Sequence, residues 1–126
     1  MNPSSKIGQN TFSKEERITN KKVIEKLFNS GIRLSLYPFD IRYKFEEKNL
    51  INKVLLTVSK AKIKSSVKRN LIKRRIKESY RLNKNKLLLD LKCNIAFVYS
   101  SDKILSYNEI NKSLIEVLNK ISIENE

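Results

Sequence analysis

The sequence predicts an α+β fold, a sandwich of one sheet with helices packed on it. Apolar residues recur at helical spacing near the start, in the middle and at the end of the chain, and period-two or continuously apolar runs lie between these segments. No internal repeat and no long linker divides the chain. We therefore expect one domain over residues 15–126, preceded by a polar, flexible arm over residues 1–14.

The first helix is predicted to start after Thr19 or Asn20, since either side chain can cap it, and to end at Gly31. Its apolar side is formed by Val23, Ile24, Leu27 and Phe28. Strict alternation in "FDIRYKFE", residues 39–46, then predicts a strand with one buried face. The preceding "RLSL" is expected to form a short edge strand that Pro38 helps to end.

The segment "EEKNLIN" predicts a turn that joins this strand to "KVLLTVSK" in a hairpin. A further run, "CNIAFVYS", is typical of a buried strand, with Cys93 as a small core residue. Ser106 and Glu109 occupy the S-x-x-E positions of a capping box and predict the start of the last helix. The apolar stripe of that helix consists of Ile110, Leu114, Val117, Leu118 and Ile121.

Charge is the strongest functional signal, because 27 Lys and Arg residues against 13 Asp and Glu residues give a net charge of +14. Such an imbalance favours a polyanionic partner. The absence of histidine excludes Ser-His triads and His-ligated zinc, and we expect no catalytic residue and no metal site. The chain lacks a membrane-spanning apolar run and a signal-peptide core and contains one cysteine, so we expect a cytoplasmic protein without a membrane partner.

A basic segment, "VKRNLIKRRIKESYRL" at residues 67–82, predicts the middle helix. At helical spacing one side collects Ile72, Ile76, Ser79 and Tyr80. An adjacent side collects Asn70, Lys73, Arg74, Lys77 and Arg81. The loop before the helix and its first turn add Lys60, Lys62, Lys64 and Lys68 near a helix N-terminus, where anions bind favourably.

A run of charges is often only a solvated surface, but Glu78 is the single acid in this helix and cannot balance its cations. We therefore expect the basic side to bind a nucleic-acid backbone. Two predicted strands precede the helix, which excludes a helix-turn-helix and gives no support for DNA binding. Its apolar side is needed by the sheet, which disfavours a membrane-surface helix. Structured RNA, bound through charge and shape, fits best.

These residues also carry a family resemblance. The stretch "VSKAKIKSSVKRNLIKRRIKESYR" resembles the signature of the bacterial ribonuclease P protein subunit, V-S-K and a basic loop followed by R-N-R-I-K-R. Arg69 and Asn70 match the start of that box, whereas Leu71 replaces its next arginine. "ERITNKKVIEKLFNSG" is similar to the family's opening helix, with Ile24 in place of its first aromatic. The resemblance covers nearly all of the chain beyond the first dozen residues.

The resemblance implies an αβββαβα sandwich with one mostly antiparallel sheet. It also implies a subunit that does not itself cut RNA. Such a subunit binds a catalytic RNA and the 5′ leader of precursor tRNA, and the two components together remove the leader. The Mg²⁺ ions that the holoenzyme requires would be held on the RNA, with no cofactor bound by the protein.

The resemblance also implies two RNA surfaces. The basic box would face the catalytic RNA through Arg69, Asn70, Lys73, Arg74 and Lys77, flanked by Lys60 and Lys64. A cleft between the first helix and the sheet would hold the leader through Arg17, Phe28, Arg42 and Tyr43. Phe28 could equally be core, and Tyr43 lies on the apolar side of its strand, where a core role is the simpler interpretation. The loss of an arginine at Leu71 should weaken RNA binding or shift the contact to Arg75 or Lys68.

Two other functions compete with this interpretation. The protein could be a ribosomal or other structural-RNA-binding protein without a role in tRNA cleavage. It could also be a protein nuclease acting alone, but Asp40, Glu46, Glu47 and Asp90 show no metal-ligand spacing.

Overall fold

The computed structural model describes residues 12–87 and 92–124. Three helices, α1 (Lys21–Ser30), α2 (Ser66–Asn83) and α3 (Tyr107–Glu124), accompany four strands, β1 (Ile32–Leu36), β2 (Phe39–Phe45), β3 (Lys53–Val58) and β4 (Cys93–Tyr99). Single 3₁₀ turns cover Lys14–Glu16 and Lys84–Lys86. The chain order αβββαβα is the one that the family resemblance implies, and the short edge strand is confirmed as β1. None of the described helices is both long enough and apolar enough to cross a membrane.

The sheet has the order β1-β2-β4-β3, and its pairings are antiparallel except for β3 with β4. The predicted hairpin of β2 and β3 is therefore wrong, because β4 lies between them. The connecting segment wraps around the start of β4, where the amide of Glu46 donates to the Lys92 carbonyl and Asn52 Oδ1 accepts from the Cys93 amide. Nearly every residue of β4 is buried, so this strand takes the centre of the sheet.

The two faces of the sheet are covered unequally. Helices α2 and α3 cover one face and form the main core, which includes all five predicted stripe residues of α3. The capping box at the start of α3 is confirmed, since Glu109 N donates to Ser106 Oγ and Ser106 N donates to Glu109 Oε2. On the other face α1 covers only a smaller cluster of Ile18, Leu27 and Ala96. We call this second side the open face.

Both predicted ends of α1 are confirmed. Asn20 Oδ1 accepts from the amides of Lys22 and Val23, which satisfies two unpaired donors at the helix start. Gly31 follows the helix with a φ of −73°, so it is not needed for a left-handed turn. A Cβ atom at this position would lie 2.3 Å from the Leu27 carbonyl oxygen, and this close approach explains the glycine.

The N-terminal segment differs from the predicted arm over residues 1–14. Residues 1–11 lie outside the described residues, but Phe12 packs edge-on against Tyr80 of the core, with ring centroids 5.7 Å apart. Glu16 is buried and pairs with Lys84 at 2.8 Å. Arg17 then forms a β-bridge to Val54 at the β3 edge of the sheet. An apolar ring and a buried ion pair therefore attach this segment to the domain, so Phe12 packs with the domain although it lies before residue 15.

Candidate nucleic-acid interface

The predicted inner side of α2 is buried through Ile72, Ile76, Ser79 and Tyr80. This burial leaves Lys73, Arg74 and Lys77 exposed on the other side of the helix. No carboxylate in the described part of the chain lies within salt-bridge distance of these three cations. The helix phase expected from the sequence is confirmed, and no ion pair with a described acidic residue neutralises the positive charge of this surface.

The cations of α2 face a groove of about 720 Å³ between the helix and the N-terminal segment. Its charged and polar lining includes Arg17, Asn70, Lys73, Arg74 and Lys77, above apolar residues that include Val54, Leu55 and Leu56. We call this the basic groove. Its N-terminal wall is held by Phe12, whose ring centroid lies 5.2 Å from the Arg17 guanidinium carbon. Four cations around an apolar floor can bind phosphate at the rim and an unstacked base within.

Arg69, which we expected to face the RNA, instead forms hydrogen bonds within the protein. Its Nη1 atom donates to the carbonyl oxygens of Ile63 and Lys64, at 2.8 Å each. Ile63 is buried, so the guanidinium ties the loop before α2 to the helix. Arg69 therefore positions that loop. We also expected the lysines of this loop and of the first turn of α2 to bind RNA. All four are exposed: Lys60, Lys62 and Lys64 in the loop and Lys68 in the helix.

Two other arginines of α2 have partners within the protein. Arg81 Nη2 lies 2.6 Å from Glu78 Oε1, and this bond lowers the pKa of Glu78 and raises the pKa of Arg81. The pair leaves Arg81 less available to RNA than the helical projection suggests. Arg75 Nη1 donates to the Leu105 carbonyl at 2.5 Å, which directs it toward the segment before α3. Arg75 is thus a poor replacement for the arginine missing at Leu71, whereas Lys68 is exposed.

A second cationic surface lies on the open face. The Arg42 guanidinium carbon is 5.8 Å from the centroid of the Phe28 ring, and Arg42 Nη1 lies 3.0 Å from Asp40 Oδ1. Arg33 Nε approaches the same carboxylate oxygen at 3.3 Å. Two arginines thus share one acid, and the cluster keeps a net positive charge. Phe28 is 36% exposed and lies outside both core clusters, so of its two expected roles the structure favours the surface one.

The four predicted cleft residues do not form one site. Tyr43 is fully buried beneath α2 and α3, because alternation along β2 turns it away from Arg42, and its predicted contact with the leader is wrong. Arg17 lines the basic groove. It lies three strand positions from β2, roughly 14 Å by the usual strand spacing. Only Phe28 and Arg42 come together.

The described acidic and thiol side chains are of the types that bind metal ions in proteins. Within residues 12–87 and 92–124, no three His, Cys, Asp or Glu side chains are grouped so that they could hold a metal ion. Asp40 is engaged by two arginines. Cys93 is buried as predicted, and burial raises the pKa of its thiol to about 12, so it is protonated near neutral pH.

The contribution of the N-terminal segment to the basic groove was not predicted from the sequence. Phe12 and Arg17 form part of that wall, and the ion pair of Glu16 with Lys84 holds the segment against the domain. The sequence did contain one signal for this contact, because Phe12 is an aromatic residue in an otherwise polar stretch. A large apolar side chain in such a stretch is more often buried against the domain than exposed to solvent.

Comparison with known proteins agrees with this architecture. The ribonuclease P family model matches residues 12–122. The ribonuclease P protein component of Clostridium botulinum (strain 657 / Type Ba4) is 37% identical over 122 residues, which cover 89% of this chain and 99% of the relative. That of Porphyromonas gingivalis (strain ATCC 33277) is 30% identical over 119 residues, which cover 88% and 86%.

Solved structures show the same fold. The RNase P protein of Staphylococcus aureus superposes with a TM-score of 0.72 at 22% identity, over 88% of this chain and 98% of that one. The protein from Thermotoga maritima gives a TM-score of 0.71 at 16% identity, over 83% and 96%. The family match implies an RNA partner and does not favour the alternative of an RNA-binding protein unrelated to tRNA cleavage. The chain therefore belongs to the ribonuclease P protein family and is the protein subunit of an endoribonuclease that processes tRNA.

Proposed function

We propose that this subunit binds the catalytic RNA of ribonuclease P through the basic groove and the loop lysines, and the 5′ leader of precursor tRNA through Phe28 and Arg42. The observation that carries the proposal is the separation of two cationic surfaces on one sheet, one at its β3 edge and the other over β2. One is the unneutralised side of α2 with Lys73, Arg74 and Lys77. The other combines an exposed aromatic ring with the guanidinium of Arg42.

The division of roles follows from the chemistry of each surface. Several cations along a helix suit the phosphates of a folded RNA, whose backbone presents closely spaced charges. A single aromatic ring beside a guanidinium group suits one unstacked base and its phosphate, as in a single strand. The Mg²⁺ ions of the reaction would be bound by the RNA, and the protein would promote cleavage by neutralising phosphates and positioning the substrate.

The first test is to reconstitute the holoenzyme with the double variant Lys73→Ala/Arg74→Ala at low Mg²⁺. We expect weaker assembly with the catalytic RNA and a shallower salt dependence, by roughly 0.9 in the log–log slope per lost phosphate contact with a duplex. The circular-dichroism spectrum should not change, since neither side chain fills the core. Lys112→Ala/Lys120→Ala, which removes two exposed lysines from α3, is the charge-matched control. Assembly as strong as that of the control would refute the role of the basic groove.

The second test compares Arg42→Ala with the wild type on precursor tRNAs with and without a leader. We expect unchanged assembly and a loss of about 1–3 kcal/mol in affinity for the leader-bearing substrate alone, the usual cost of losing one stacking platform. Phe28→Ala should give the same selective deficit. Equal losses on both substrates would show that this face does not hold the leader.

A further inference from the structure

We infer that the leader path continues beyond Arg42 into a lysine-lined pocket at the other end of the open face, where a second stretch of single-stranded RNA binds. The inference rests on the proposed function, since it extends the surface assigned to the leader. The pocket has a volume of about 250 Å³ and lies between α1 and the C-terminal end of β2. We call it the lysine pocket, and its cations are Lys26, Lys44 and Lys48.

The lysine pocket is continuous with the Phe28–Arg42 surface. Lys44 follows Arg42 by two residues on the same face of β2, roughly 7 Å farther along the strand. One nucleotide of an extended strand can span that interval. The Lys44 ammonium group lies 3.5 Å from Ser30 Oγ at the end of α1, so it extends across the gap between strand and helix. A strand leaving Arg42 in this direction therefore meets Lys44 next.

The charges of the pocket are not balanced. In the described part of the chain no carboxylate lies within salt-bridge distance of any of the three lysines, although Glu46 also lines the pocket. Three cations against one acid give a local excess of two positive charges. A concave site with uncompensated lysines attracts an anion more strongly than the same charges on a convex surface.

A buried amide adds a hydrogen-bond donor to these charges. Asn94 pairs with Lys44 in the register of the sheet and is only 8% exposed. Its Oδ1 atom accepts from Asn49 Nδ2 at 2.8 Å, whereas its Nδ2 atom has no acceptor among the described residues. Every fully buried side-chain nitrogen in that part of the chain has a hydrogen-bond partner, so Asn94 Nδ2, which has none, must be accessible. Since Asn94 lines the lysine pocket, this amide group faces the pocket. Ammonium and amide donors together suit a phosphate or a base carbonyl of RNA.

The experiment is a titration of leader length with the reconstituted holoenzyme. Precursor tRNAs carrying leaders of increasing length are bound by the wild type, by Lys44→Ala/Lys48→Ala, by Arg42→Ala and by the control Lys112→Ala/Lys120→Ala. For the lysine-pocket variant we expect wild-type affinity on leaderless and very short-leader substrates. On long leaders we expect roughly tenfold weaker binding, from about threefold for each lost ammonium group. Its salt slope should also become shallower only on those substrates.

The outcomes separate this inference from the proposed function. If Lys44→Ala/Lys48→Ala behaves like the control at every leader length while Arg42→Ala keeps its leader-specific deficit, the lysine pocket is refuted and the proposed leader surface stands. A deficit on leaderless substrate would also refute the inference, because the lysines would then contact the tRNA body or the catalytic RNA. If the Arg42→Ala deficit is not specific to the leader, the proposed function fails, whatever the pocket variant shows.

A second measurement locates the RNA directly. Lys48→Cys can be labelled selectively with an iron chelate, because Cys93 is buried and protonated at neutral pH. Hydroxyl radicals generated from the label should cut the leader several nucleotides from the processing site in the assembled complex. Cuts confined to the catalytic RNA would overturn the inference.

Discussion

Arg42 shows how the neighbours of a residue decide its role. Alternation along β2 placed it on the polar side of the strand, but it did not reveal what would lie opposite. In the fold α1 brings the Phe28 ring within 5.8 Å, and Asp40 orients the guanidinium group from the same strand. These contacts fix the planar guanidinium group in place. The arginine side chain therefore loses less conformational entropy when a base stacks on it than a free arginine would. Tyr43, one residue farther along, is turned into the core by the same alternation.

The Cys93 thiol gives a residue-scale prediction of pH dependence. Burial raises its pKa from 9.0 to about 12, so the native state keeps its proton at pH values where the unfolded chain has lost it. The protonated, buried thiol therefore contributes fully to the free energy of unfolding below pH 9, and this contribution is lost as the pH rises toward 12. We expect the free energy of unfolding to fall by about 1.4 kcal/mol per pH unit more in the wild type than in Cys93→Ala over this interval. Urea unfolding at pH 9 to 11 measures both slopes, and parallel slopes would contradict the assignment.

At the scale of elements, the basic groove depends on a segment that is neither helix nor strand. The cations of α2 form one wall, and the opposite wall is residues 12–19, which run along the edge of β3. This segment is attached at three points: the Phe12 ring on the core, the bridge at Arg17 and the buried ion pair of Glu16 with Lys84. Loss of an attachment should therefore affect the groove as well as stability.

Lys84→Ala tests that attachment. The substitution leaves the Glu16 carboxylate buried without this lysine, and we expect a loss of about 3 kcal/mol in the free energy of unfolding, the lower end for breaking a buried pair. Lys86→Ala, in the same 3₁₀ turn but at an exposed position, should change stability by less than about 0.5 kcal/mol. Urea denaturation of both variants gives the comparison. Similar losses would mean that the ion pair contributes little.

At the scale of the whole molecule, the net charge of +14 opposes folding of the free protein. Many of the described cations lie in the basic groove, in the loop before α2 or on the open face, and few of them form ion pairs. RNA would neutralise these surfaces in the holoenzyme. Without it, smaller anions should occupy part of the same sites and stabilise the native state by mass action.

We therefore predict that sulfate raises the thermal midpoint of the free protein by several degrees relative to chloride at matched ionic strength. At a sulfate concentration one hundred times the dissociation constant of a single site, binding would add about 2.7 kcal/mol to the free energy of unfolding. The triple variant Lys73→Ala/Arg74→Ala/Lys77→Ala should lose part of this effect, and differential scanning calorimetry measures it. Identical midpoints in the two salts would show that the native cations form no anion site.

The sequence by itself determined which residues form each element and which side of each element is buried. Alternation in β2, the inner side of α2, the caps of α1 and α3 and the stripe of α3 are local patterns, since each depends on residues a few positions apart. The sorting of cations onto one side of α2 is equally local. For this reason the basic side of that helix is predictable from the order of its residues alone.

Only the tertiary structure decided which elements meet. It placed β4 between β2 and β3, where the sequence suggested a hairpin, because two-residue periodicity records burial but does not specify the partner strand. It separated Arg17 from Arg42, directed Arg75 toward the Leu105 carbonyl and tied Arg69 to the loop carbonyls. Charge in the sequence marks the cations that can bind RNA, but long-range packing determines which of them remain available to it.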